Sequence, residues 1–92
     1  MIVRILGEGQ FDVPDAELEK LNDLDAAIEA AVTAGDEGAL ATALTDLLAG
    51  VRAVGTEHDP EALDVSDVVL PHEGATLAEV RELLDDDGLI PG

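Results

Sequence analysis

A chain of 92 residues supports one hydrophobic core, because separate domains usually need about 100 residues or more each. Apolar residues make up 47% of it, yet Phe11 is the sole aromatic, so the interior must be built from Leu, Val, Ile and Ala. Twenty-two acidic residues against four Lys and Arg leave a formal charge of −18, which excludes direct binding to nucleic-acid phosphates, since that works by Lys and Arg displacing counterions, and disfavours anionic lipid surfaces for the same reason.

The chain opens MIVRILGEGQFDV. Ile2 to Leu6 and Gln10 to Val13 are rich in β-branched and aromatic residues and predict two strands. A three-residue loop, Gly7-Glu8-Gly9, would pair Leu6 with Gln10, Ile5 with Phe11, Arg4 with Asp12 and Val3 with Val13. That register collects Val3, Ile5, Phe11 and Val13 on one face and Arg4 with Asp12 on the other, whereas a loop one residue shorter or longer splits the apolar set. Gly9 then takes the left-handed position of such a loop.

A helix is predicted over roughly Asp15 to Ala34, with Leu18, Leu21, Leu24, Ile28, Ala31 and Val32 forming an apolar stripe. Asp15, Glu17 and Glu19 suit the positive end of its dipole. Gly35 supplies a left-handed stop and Asp36 a cap for a second helix, whose stripe is Leu40, Leu44, Leu47, Leu48, Val51 and Val54 and which ends at Gly55. So short a link predicts an antiparallel helical hairpin. Gly50 interrupts the second helix at a cost of about 1 kcal/mol relative to Ala, which implies close approach of a neighbouring backbone.

Thr56 to Leu63 reads as a polar loop, and Val68-Val69-Leu70, stopped by Pro71, as a short third strand. Thr76-Leu77-Ala78-Glu79 is a capping box opening a C-terminal helix with Leu77, Val80, Leu83 and Leu84 on its buried side. Gly88 as its left-handed stop would bring Leu89 back onto Leu84, docking the GLIPG tail. Asp85-Asp86-Asp87 opposes the dipole at that end and calls for salt, cations or a basic partner. The fold class is therefore α+β, a single small acidic domain over residues 1–92 in the order β-β-α-α-β-α.

The chemistry-bearing residues are few. A dinucleotide fingerprint leads from a strand into a helix and a P-loop needs Lys then Ser or Thr; here Gly9 is followed by Gln10-Phe11-Asp12, so the glycines favour a hairpin turn. His58, among Glu57, Asp59 and Glu61, and His72 beside Glu73 lack the spacing of a metal frame and read as solvated loop residues. Asp85-Asp86-Asp87 lacks the ligand alternation of an EF-hand. Ser66, the sole serine, sits in no nucleophile motif. The absence of cysteine excludes disulfides and thiol catalysis and fits a reducing compartment. With no apolar run near the ~20 residues of a spanning helix and no basic leader, the expected location is cytoplasmic. No catalytic residue, metal or cofactor is expected. Strong acidity with few lysines is also the composition of salt-adapted proteins, in which screening relieves self-repulsion.

The chain resembles the small PspA-associated proteins, PspAA, through MIVRILGEGQFDV, LNDLD at Leu21 to Asp25, AGDE at Ala34 to Glu37, VRAVGT at Val51 to Thr56, SDVVLP at Ser66 to Pro71, and TLAEVRELL with GLIPG at the end. The resemblance spans nearly the whole length and carries no catalytic signature. It implies an accessory to a PspA/Vipp-type helical, coiled-coil-rich membrane-stress protein, peripheral to the inner face of the membrane only through that partner. An acidic module would be drawn to a basic protein face and kept off bare lipid. The expected contact is an exposed part of the helical hairpin or the rim formed by Gly7, Glu8, Gly9 and Gln10. Two alternatives stay open: a small ligand-binding domain using the Gly7–Gly9 loop, and an acidic inhibitor that mimics a nucleic-acid backbone. Oligomeric state stays open too.

Overall fold

The computed structural model describes residues 1–57 and 67–84. Its elements are β1 (Ile2–Ile5), β2 (Gly9–Asp12), a 3-10 turn (Asp15–Glu17), α1 (Leu18–Ala34), α2 (Glu37–Val54), β3 (Thr56–Glu57), β4 (Val68–Leu70) and α3 (Leu77–Leu83). The class is α+β, with a mixed four-stranded sheet in the order β3-β2-β1-β4. The expected order lacked β3. Thr56 and Glu57, assigned from sequence to a polar loop, pair antiparallel with Asp12 and Phe11; two residues are too few to carry an alternation that could be seen in advance.

The hairpin forms with a register two residues away from the expected one. Ile5 pairs with Gly9, Arg4 with Gln10, Val3 with Phe11 and Ile2 with Asp12, and Met1 and Val13 extend the ladder by exchanging two backbone hydrogen bonds of 2.8 and 2.9 Å. The loop still has three residues, but they are Leu6-Gly7-Glu8. A slip of two restores every side chain to the same face, so the hydrophobic pattern fits both registers equally well. Turn geometry decides: the Glu8 N–H donates to the Ile5 carbonyl at 3.0 Å, which puts Gly7, at φ 86°, in the third position of the turn, where a positive φ is needed.

The two long helices meet through a junction of two residues. The N–H groups of Gly35 and Asp36 donate back to the carbonyls of Val32 and Ala31, closing α1 with a Schellman motif around Gly35 in the left-handed region. The Asp36 carboxylate then accepts from the Ala39 N–H at 3.0 Å and starts α2. Asp36 thus ends one helix and begins the next, which makes the hairpin tight.

Val3, Ile5 and Val13 of the hairpin, Val68 and Leu70 of β4, Leu21, Ile28 and Val32 of α1, Leu40, Leu44, Leu47, Leu48 and Val51 of α2, and Val80 of α3 form one core. β4 runs parallel to β1 and is gripped at its start by Asp67, whose N–H donates to the Ile2 carbonyl and whose carboxylate accepts from the Ile2 N–H, at 2.8 and 2.9 Å. α3 opens with the expected capping box between Thr76 and Glu79, and Arg81 reaches the Val32 carbonyl at 3.5 Å near the end of α1. The proposed return of Leu89 onto Leu84 and the Asp85–Asp87 run lie outside the described residues.

Two glycines of α2 and its end are set by space. A Cβ on Gly50 would lie 3.0 Å from Leu24 Cδ1 and 3.4 Å from Leu21 Cδ2, so the close neighbours are side chains of α1 and not the backbone expected from the sequence. At Gly55 a Cβ would lie 2.7 Å from the Val51 carbonyl oxygen and 3.2 Å from Phe11 Cβ. Its φ of −87° suits any residue, so crowding alone requires glycine there. Gly55→Ala should therefore lower stability by about 1–3 kcal/mol, the usual cost of overpacking. Gly50→Ala should change it by no more than about 1 kcal/mol, because the half-buried Leu24 methyl can yield while helix propensity improves. Urea unfolding of both variants checks the contrast.

Candidate partner-binding surface

The rim predicted from sequence lies at the end of the β-hairpin nearest the C-terminal turn of α2. Gly7 and Gly9 both have positive φ, 86° and 130°, and nothing lies within 4 Å of where a Cβ would sit on either. Backbone conformation explains both glycines, and the segment runs from strand to strand, without the helix that follows a phosphate-binding glycine loop.

Glu8 does not point freely from the tip. Its carboxylate accepts both Arg52 Nε, at 3.0 Å, and Arg52 Nη2. The bidentate pair is about one-third exposed on each side and ties the loop to the last turn of α2. The hydrogen bond to Glu8 and the added negative charge of Glu73 raise the Arg52 pKa above its ordinary value. Gln10 leaves the rim altogether: it sits in β2 opposite Arg4, half-buried, on the sheet face turned away from the helices. The four predicted residues therefore divide between a clamp on α2 and the outer sheet face.

Sequence reasoning missed three features. Leu6 and Val69 are the large apolar side chains left exposed among the described residues. The parallel pairing sets them on neighbouring strands, Val69 opposite Arg4 and Leu6 two residues further along the chain, where its N–H donates to the Leu70 carbonyl at 3.0 Å. Asp25 is 3% exposed within α1 and has polar interactions of its own. Its position four residues after Leu21 and three before Ile28 places it on the apolar stripe, which was the available signal. A buried carboxylate has to be partnered.

The other candidates stay apart. His72 Nε2 lies 3.9 Å from Glu79 Oε2 on the surface; His58 and Ser66 lie outside the described residues. Among the described residues, no group of three or more His, Asp or Glu is placed to hold a metal ion, and no helix is long and apolar enough to cross a membrane. A shallow depression on α2 is lined by Ala41, Thr42, Thr45 and Asp46. All four come from one side of a single helix, so it encloses nothing.

The sequence profile of the PspA-associated protein family, PspAA, matches residues 1–92. The chain belongs to that family. No curated relative and no solved structure matches it. In this PspAA protein the candidate surface comprises the outer sheet face and the hairpin end clamped to α2.

Two expectations follow from these contacts. Glu8→Gln should cost at most about 1 kcal/mol in dilute buffer and nothing measurable near 1 M salt, because a partly exposed pair is weak and screened; a double-mutant cycle with Arg52→Gln reads the coupling. The Thr76 N–H and hydroxyl, with His72 behind them, hold the Glu79 carboxyl below its ordinary value of 4.5. Its contribution to α3 is therefore complete above about pH 4.5 and is lost as pH falls through the lower folded-state value. Carbon-detected NMR should show the Glu79 midpoint rising in Thr76→Ala.

Proposed function

We propose that this PspAA protein is a non-enzymatic accessory that binds a PspA-like coiled-coil protein and modulates its assembly in the envelope-stress response. The observation that carries this reading is the family match over the entire chain, residues 1–92. Charge supports it. A surface of −18 accelerates encounter with a basic protein face and opposes contact with anionic lipid, so the accessory works in the cytoplasm and meets the membrane only through its partner.

The pair of two-residue connections also supports this role. With α1 and α2 held by Gly35 and Asp36, and the hairpin end held to α2 by Glu8 and Arg52, the domain presents a preorganised surface, and little ordering cost is left for binding. The rim and outer sheet face then act as a docking platform.

Pull-down of the PspA protein from the same source by the purified chain, at about 0.1 M and about 1 M salt, tests the proposal. Capture at the lower salt that weakens at the higher is the expected result. Absence of capture at both would sink the accessory reading.

A further inference from the structure

The four-stranded sheet has one face packed under the helices and one turned away from them. Inward side chains are those of Val3, Ile5, Val68 and Leu70, all buried. Outward ones include Ile2, Arg4 and Leu6 of β1 and its loop, Gln10 and Asp12 of β2, and Val69 of β4. An outer face of an antiparallel or mixed sheet is ordinarily polar. Here it carries Leu6, at 38% exposure, and Val69, at 37%, on neighbouring strands, with Arg4, the register partner of Val69, between Leu6 and half-buried Ile2 in the β1 row. The outward faces of the long helices are different in kind: Glu19, Lys20 and Asp23 on α1, and Ala41, Thr42 and Thr45 on α2 are exposed, with no large apolar residue among them.

We infer that this outer sheet face, centred on Leu6 and Val69, is where the partner docks, and that the occupant is a single amphipathic helix of a basic protein. The inference rests on the accessory reading above and assigns its contact surface. Size and charge select the occupant. Four strands at ~4.8 Å spacing, two to four residues tall at ~3.3 Å each, present a face on the order of 200 Å². A helix about 10 Å across fits it. A stable two-fold dimer needs about 800 Å² from each copy and would also have to bring together two chains of charge −18. A helix whose apolar stripe sits on Leu6 and Val69, with an acidic residue toward Arg4 at the middle of the face and Lys or Arg along its flanks toward Asp12 and Asp67 at the edges, satisfies both the face and the net charge of −18 around it.

The test is NMR titration of the isotope-labelled full chain with purified PspA at the same two salt concentrations, together with Kd measurement for Leu6→Gln/Val69→Thr and for Thr42→Gln/Thr45→Gln. The expected result is perturbation of the Leu6 and Val69 amides, a Kd raised roughly tenfold or more by the first pair of changes with the melting temperature retained, and no change from the second pair. Perturbation confined to α1 and α2, with Leu6 and Val69 silent, overturns the assigned surface and leaves the accessory role standing. No binding at either salt overturns both. Two results in the free protein also overturn the assignment: contacts from the Leu89 or Ile90 methyls to Leu6 and Val69, which make the chain's own terminus the occupant, and a dimer in sedimentation that Leu6→Gln/Val69→Thr disperses, which makes it a second copy.

Discussion

Between the end of α2 and the start of β3 the chain leaves the helix so tightly that only a hydrogen fits at Gly55: a Cβ there would lie 2.7 Å from the Val51 carbonyl oxygen, and Phe11 Cβ crowds it at 3.2 Å. This turn seats the end of the helical layer against Phe11 and Val13 of the hairpin. With a single aromatic in the chain, no bulky side chain can bridge a wider gap, so the layers must approach until aliphatic side chains touch. Close approach also delivers Thr56 and Glu57 directly to the free edge of β2. The same end of α2 carries Arg52, which clamps the hairpin loop through Glu8.

A sheet of four short strands can hide only one of its faces under a helical hairpin and one more helix. In this PspAA protein the hidden face takes β-branched and leucine side chains from β1 and β4, and the other face keeps Leu6 and Val69 partly in water. Acidic residues occupy the helix surfaces, where they are solvated and cost little. The exposed large apolar side chains among the described residues thus fall at the sheet, where they share the outer face with Arg4 and Asp12.

Local patterns carried much of the architecture. Leu40, Leu44, Leu47, Leu48 and Val51 declare the buried side of α2, Gly35 and Asp36 declare the junction, and Thr76 with Glu79 declares the start of α3; each signal lies within a few residues of the structure it specifies. The candidate rim was only half legible. Glycines at 7 and 9 announced a turn, but nothing local shows that Glu8 meets Arg52, 44 positions away, or that Gln10 faces outward beside Arg4.

The sequence by itself determined the α+β class, two strands followed by a helical hairpin, the strand at Val68 to Leu70, the capped third helix and the strong negative charge, because these depend on periodicity, capping and composition along a continuous stretch. Only the tertiary structure decided the hairpin register, since a slip of two leaves every side chain on its original face. It also decided the pairing of β3, the parallel docking of β4 on β1, the burial of Asp25 and the exposure of Leu6 and Val69 on neighbouring strands. Each of these depends on which distant backbone groups come into reach, and that is settled by packing of the whole core.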